Sequence, residues 1–432
     1  MLEENNDIII VDDSLEDVHR ISNVFLDYGI GCRTFVYDYF DTIETPLKNV
    51  KIAFFDICLS TTGNDTEQFT VLCDALKTYV SCDNKAFVLV FWTSKPSLIE
   101  DFKTYVKNRE GETVPKPIAI KTIDKHSFIE NQGDLKKTLS DLMSDPIVSC
   151  LFSFETELKN AANKSLHDIL KYILFPDIWG DNKQYIDNIK TVFTKIAIET
   201  FGNNRGSENP DLAIKEAFGP LFLHYLCENE SKVWQCFLGD IDKNNIKAFP
   251  DSTIVAKLNT LFHLDLSVKE DNARGSVRRI ERTNNTIIEL FEKQIGINPN
   301  EWISNVLLKN TKIDVDNTLE LIALEYSAAC DYSNAKNRTH CYMLGIIIPD
   351  EIFHQSKKIK FSDAIYEVPF KFIYSERECV MILHLNYTVN EEDSNPQKIL
   401  GKRIFSLKSE VMNMISNRHS FHISRIGITS FR

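Results

Sequence analysis

The chain has 432 residues, a formal net charge of −13 at pH 7, 43% hydrophobic and 11% aromatic residues. That is enough apolar surface for packed cores, and the length suggests about two to three domains. The acidic balance disfavours nucleic acid as a partner, and no apolar run approaches the ~18 residues of a membrane span. Ten cysteines are scattered without a Cys-x-x-Cys pair, and the N-terminal Met1-Leu-Glu-Glu-Asn-Asn lacks the marks of a targeting peptide. Reduced thiols in the cytoplasm are the expectation.

Taken in order, Ile8-Ile-Ile-Val11 is a short, wholly apolar run of the kind buried on both faces of a parallel sheet, and it ends in Asp12-Asp13. Ser14 to Leu26 follows as an amphipathic helix with Leu15, Val18, Ile21, Phe25 and Leu26 on its apolar stripe. Ser14, with Asp17 three residues on, predicts its N-cap. His19 on this helix reads as a surface residue. Gly31 to Val36 is the second strand. Ile52-Ala-Phe-Phe55 is the third, ending at Asp56, and Thr66 to Val80 is helical after it. Phe87-Val-Leu-Val-Phe91 is the fourth, ending in Trp92-Thr93-Ser94, before a helix from Pro96 to Asn108. Pro117-Ile-Ala-Ile120 is the fifth, ending in Lys121-Thr122, before a helix from Gly133 to Met143. Strands alternating with helices five times predict a parallel, doubly wound sheet, and ligands bind such sheets at the carboxyl ends of the strands.

Those strand ends carry two acids, a third acid, a hydroxyl and a lysine. Magnesium-assisted phosphoryl transfer to a carboxylate needs that set. Asp12 and Asp13 would hold Mg²⁺, which prefers a few carboxylates, waters and a phosphate oxygen. Asp56 would be the nucleophile, and Thr93 and Lys121 would take the phosphoryl oxygens that carry the transition-state charge.

In these residues and their order, residues 7–143 resemble the receiver domain of two-component response regulators, and the interval from Asp13 to Asp56 is close to that family's usual one. The resemblance implies a flavodoxin-like (βα)5 fold with Asp56 as phosphoacceptor. It also implies Mg²⁺ held by Asp12, Asp13, Asp56 and the backbone carbonyl of Cys58, and a sensor histidine kinase as partner. Two departures stand out. The family usually has proline after the lysine, where this chain has Thr122, and an aromatic residue third before it, where this chain has Ile118. That aromatic normally couples phosphorylation to a surface change. Lys95-Pro96 follows Thr93 too closely to be the family's Lys-Pro pair.

The texture changes at Ser144-Asp-Pro146, giving an expected division into a receiver over 1–145, a helical domain over 146–312 and a β-rich domain over 313–432. Phe154 to Leu174 is a long amphipathic helix, and His167 within it reads as an ordinary helix histidine. Glu270 to Arg282 carries Arg274, Arg278, Arg279 and Arg282 among acids and reads as a charged loop running into a helix. Leu319–Tyr326, His340–Pro349, Val368–Tyr374, Cys379–Tyr387 and Arg403–Leu407 read as strands, the third and fourth as a hairpin, with a closing helix from Ser409. A small, partly open β-barrel is the expectation. Cys330 and Asp331, with His340 and Cys341 nearby, are further candidate site residues, although their spacing fits no standard zinc pattern.

The expected function is a response-regulator-like signalling protein with a non-DNA-binding output or a phosphate-buffering role. The chain loosely resembles receiver components encoded beside sensor kinases in bacterial anti-phage systems. The alternatives are a pseudo-receiver that serves as a scaffold, and an effector enzyme with its site in residues 147–432. A receiver identifies neither its kinase nor its downstream partner.

Overall fold

The computed structural model describes residues 7–40, 43–60, 63–84, 86–109, 114–128, 132–228, 233–239, 249, 251–267, 274–309, 318–327, 339–355, 362–392 and 400–424. The chain forms two compact units, Met1–Tyr172 with Phe218–Lys243, and Ile173–Ala217 with Asn244–Arg432. Cys330 and Asp331 lie outside the described residues. Among the described residues no helix is long and apolar enough to cross a membrane.

The first unit is built on a five-stranded parallel sheet, β1 (Ile8–Asp12), β2 (Arg33–Val36), β3 (Ile52–Phe55), β4 (Val88–Thr93) and β5 (Ala119–Asp124), in the order β2-β1-β3-β4-β5. Successive side chains of a strand point to opposite faces, so each central strand feeds two cores. Ile8, Ile10, Phe54, Val90 and Trp92 pack with Val18, Ile21 and Phe25 of α1 (Leu15–Asp27) and with Leu135 and Leu139 of α4 (Gln132–Met143). Ile9, Val11, Phe55, Leu89 and Phe91 pack with Phe69, Leu72 and Leu76 of α2 (Asp65–Tyr79) and with Phe102 of α3 (Ile99–Asn108). The expected apolar stripe of α1 is narrower than predicted, because Leu15 and Leu26 at its ends are exposed.

The five-fold strand–helix repeat is incomplete. Between β2 and β3 the described residues form no helix. Leu47 instead bridges to Val80, and the buried Asn84 side chain both donates to the Val50 carbonyl and accepts from its N–H, each at 2.9 Å. Two hydrogen bonds from one amide fix this connection in place of a helix. The texture change at residues 144–146 is a helix start. Asp145 caps α5 (Pro146–Leu170) by accepting from the Ile147 N–H, and Pro146 takes the first turn, where its missing N–H has no partner to lose.

The second unit contains an antiparallel sheet: β6 (Leu264–Asp265), β7 (Ser276–Ile280), β8 (Glu320–Glu325), β9 (Thr339–Pro349), β10 (Ile365–Glu367), β11 (Phe372–Tyr374), β12 (Arg377–Glu392) and β13 (Arg403–Leu407). Its order is β10-β12-β9-β8-β7-β13-β6, with β11 paired to β12. It curls into a half-barrel and stays open, so the sequence expectation holds only in that form. Both faces are covered. Leu321, Leu344, Ile346 and Ile382 pack with Ile287, Phe291 and Trp302 on one side. Leu324, Met343, Met381 and Phe405 pack with Val411, Met412 and Ile415 of the closing helix Ser409–Ile423 on the other.

The β11–β12 hairpin turns on Ser375 and Glu376, both at positive φ, the two-residue geometry that matches strand twist. Within the charged stretch expected to run from loop into helix, residues 270–273 lie outside the described residues, and Ser276–Ile280 form β7, paired on one side with β8 and on the other with β13. Arg278 within it is fully buried and donates to the Gly401 carbonyl at 3.0 Å. Gly401 is required there: its φ is +69°, and an added Cβ would meet the Arg279 carbonyl oxygen at 2.2 Å.

One buried titratable group gives this unit a pH dependence. Burial, and secondarily His422, push the imidazole of His384 on β12 down to about 4. The unfolded chain therefore takes up a proton between its ordinary pKa of 6.5 and about 4 that the native state refuses. The stability His384 confers is present above pH 6.5 and falls, by up to roughly 3 kcal/mol, as the pH drops to about 4. The expected result is that thermal unfolding of this unit shifts down between about pH 7.5 and pH 5, and that His384→Gln flattens the dependence. Identical pH profiles for the two proteins would contradict this assignment.

Candidate functional site

The winding of the parallel sheet reverses between β1 and β3, and the carboxyl edge at such a point is where open α/β sheets present ligand sites. Asp12 closes β1, and Asp56 follows β3 directly; the Asp56 N–H bonds the Val11 carbonyl at 3.2 Å. Both side chains are buried among strand ends, whereas Asp13 is exposed. One carboxylate oxygen from each of Asp12, Asp13 and Asp56 lies within 4.8 Å of the other two.

The local backbone aims these groups. Ser14 caps α1, its hydroxyl accepting from the Asp17 N–H at 3.3 Å, while its own N–H donates to Asp12 Oδ1 at 2.9 Å. The Cys58 N–H donates to Asp56 Oδ1 at 3.2 Å, folding the turn after β3 back onto the carboxylate. Each aspartate thus has one oxygen held by backbone and the other turned inward.

The inward oxygens meet a lysine, but not the expected one. Lys125 Nζ lies 2.7 Å from Asp12 Oδ2, 2.8 Å from Asp56 Oδ2 and 3.0 Å from Asp17 Oδ2. Lys121, expected in this role, is elsewhere. It pairs with Val90 in the middle of the strand ladder, and its ammonium bonds Asp145 at the start of α5, holding that carboxyl below its ordinary range. The difference is one of strand length. β5 extends to Asp124, which pairs with Thr93, so the residue projecting from the carboxyl edge beside Thr93 is Lys125. The apolar run does not mark it, because β5 continues past that run as far as Asp124.

Thr93 is fully buried at the end of β4, and its hydroxyl accepts from the Lys95 N–H at 3.1 Å. Asp17, from the first turn of α1, is a member of the cluster that the sequence reading placed only in a capping role.

Electrostatically the pocket holds more acid than base. Burial raises the Asp12 carboxyl to about 7; Lys125 pulls it down, and Asp56 adds to the rise. On Lys125, burial is the largest influence and disfavours the charge. The neighbouring Asp56 and Asp12 outweigh it together, and the ammonium is raised above its ordinary pKa. Asp12, Asp13, Asp17 and Asp56 together share the Lys125 ammonium and, at Asp17, the Arg20 guanidinium, an excess of acid over base. Oxygen-only ligands at this spacing fit a hard divalent cation, and Asp12, Asp13 and Asp56 are the residues that would hold it.

Comparison with known protein families and with curated proteins found no match for this chain.

The raised Asp12 carboxyl predicts a metal-linked stability. Without divalent cations the native state keeps a proton on Asp12 that the unfolded chain, at its ordinary 3.8, has given up. Stability of the first unit therefore falls as pH rises from about 4 to about 7. A divalent cation held by these carboxylates, tested with Mg²⁺ at roughly a hundred times its dissociation constant, would restore about 2.7 kcal/mol at neutral pH, and less at about pH 5, where protons compete for the ligands. Melting curves with and without Mg²⁺ test this; no shift in wild type at neutral pH would argue against a cation site.

Proposed function

We propose that the first unit is a receiver-type phosphoacceptor, in which Asp56 takes a phosphoryl group from a phosphohistidine on a partner sensor kinase. The observation that carries this reading is the single ammonium of Lys125 bonded to both Asp56 and Asp12 inside an acidic cluster at the strand edge.

In this reading an Asp56 oxygen forms the new O–P bond as the P–N bond to the donor imidazole breaks. The bonding pair leaves with the ring nitrogen, which takes a proton from solvent. Mg²⁺, held by Asp12, Asp13, Asp56 and the Cys58 carbonyl, would supply the positive charge that offsets repulsion between the acids and the incoming phosphoryl group. Lys125 and the Thr93 hydroxyl take phosphoryl oxygens. Water later cleaves the acyl phosphate. Residues after 145 are then a non-DNA-binding output, or the receiver stores and drains phosphoryl groups.

With Lys125 as the pocket lysine, the residue after it is His126 and the third before it is Thr122. The family's proline and aromatic are therefore missing under either lysine, and the usual aromatic readout has no counterpart here. One observation favours the scaffold alternative: Asp12, Asp17 and Asp56 already take all three Lys125 donors, so the lysine is fully bonded without any ligand.

Incubation with Mg²⁺ and a small phosphodonor, followed by intact-mass measurement, decides between them. The expected result is one added phosphoryl group on wild type and none on Asp56→Asn. Lys125→Ala should lower the rate of adduct formation by about a hundredfold, as for other lost donors to a transition-state oxygen, while Lys121→Ala retains the wild-type rate. Melting curves on each variant separate a lost fold from a lost donor. Absence of adduct from the folded wild type, with donor and candidate kinases supplied, would favour the scaffold and turn attention to residues 147–432.

A further inference from the structure

An ammonium has three N–H donors, and Lys125 spends one on each of Asp12, Asp56 and Asp17. The three partners are unequal. Asp12 and Asp56 come from strand ends, and their side chains are 1% and 9% exposed. Asp17 comes from α1, is 19% exposed, and makes the longest of the three bonds at 3.0 Å. Its other oxygen lies 3.6 Å from Arg20 on the same helix. Nothing in the phosphoacceptor chemistry above calls for Asp17.

We propose that Asp17 is a positioning residue that competes with the phosphoryl group for Lys125, so that phosphorylation is read out at the start of α1. This rests on the phosphoacceptor reading. When Asp56 becomes an acyl phosphate, its carboxyl oxygens lose their charge and a phosphoryl group of nearly two negative charges arrives beside them. Lys125 exchanges its bond to the now uncharged Asp56 oxygen for one phosphoryl oxygen, and it can turn a second donor to that group only by leaving Asp12 or Asp17. Asp17 is released at least cost, because water re-solvates a partly exposed carboxylate far more readily than a buried one. The freed carboxylate keeps Arg20 as its cation, and the first turn of α1 loses its side-chain tie to Lys125 while the Ser14 N–H bond to Asp12 remains. Asp17 thus holds Lys125 back from phosphoryl in the resting state and marks its departure afterwards.

The test compares wild type, Asp17→Asn, Asp17→Glu and Glu16→Gln, each with Mg²⁺ and phosphoramidate. The readouts are the ratio of phosphorylated to unphosphorylated protein by intact mass and amide hydrogen exchange over α1. Asp17→Asn is expected to raise the ratio about three- to tenfold, the scale of one partly exposed charged hydrogen bond. Asp17→Glu, which keeps the carboxylate, is expected to bring it back towards wild type. Glu16→Gln removes the same unit of charge from an exposed neighbour that bonds Arg20 and does not touch Lys125, and is expected to move the ratio far less than Asp17→Asn. In wild type, exchange in the first turn of α1 should quicken on phosphorylation. That measurement stands on wild type alone even where a variant does not fold. If Asp17→Asn and Glu16→Gln move the ratio equally, or α1 exchange is unaltered in phosphorylated wild type, the role of Asp17 is overturned while the phosphoacceptor stands. If wild type takes no phosphoryl group at all, both fall.

Discussion

The first unit depends on one ammonium placed among carboxylates where water is scarce. Burying Lys125 alone would be prohibitive, and burying Asp12 and Asp56 without it equally so. Together they hold each other in place, and they do so across four elements: β1 supplies Asp12, the turn after β3 supplies Asp56, α1 supplies Asp17, and the turn after β5 supplies Lys125. The cluster can form only if those strand ends are level and α1 begins where Ser14 caps it. Charge balance therefore fixes the carboxyl edge of the sheet, while the two apolar cores fix its faces.

Much of this unit was legible because a strand buried on both faces writes itself as an unbroken apolar run. Ile8–Val11, Ile52–Phe55 and Phe87–Phe91 end where polarity begins, so Asp12, Asp56 and Thr93 fall at the strand ends. The edge strand obeys a different rule. β5 has a neighbour on one side only, most of its residues are partly exposed, and its apolar run stops well before the strand does. Lys121 marks the end of the run, whereas Lys125 marks the end of the strand. The same blindness hid β7, where Arg278 and Arg279 interrupt a strand that the sheet nevertheless pairs on both sides. A buried arginine reads as a surface signal until the carbonyl that accepts from it, here that of Gly401, is known.

The second unit shows how far pattern reaches without chemistry. Its long strands β9 and β12 were visible as β-branched and aromatic runs, and the hairpin turn was visible as a short polar break. Closure was not, since whether a sheet curls fully round depends on how its end strands meet, and β6 and β10 are too short and too separated in sequence to announce it. The unit also buries Glu325 and His340, joined at 3.3 Å. No motif spacing predicts such a pair, because it arises from adjacent strands.

Lys125 is constrained from behind as well as in front. The turn Lys125–Phe128 that carries it is anchored by Phe128, which stacks on the fully buried Trp92 at 6.0 Å between ring centroids. Trp92 immediately precedes Thr93 on β4, so the lysine-bearing turn and the hydroxyl-bearing strand end are packed as one piece. Under the proposed phosphoacceptor reading, a lysine whose backbone is pinned in this way would meet the new charge by exchanging side-chain partners while the strand beneath it stays put. A sheet-wide shift, or an aromatic swinging through the last strand, would have to break that stack and the Trp92 core with it. In that proposed reading, partner exchange at the ammonium breaks one partly solvated hydrogen bond and is the less costly response to new charge.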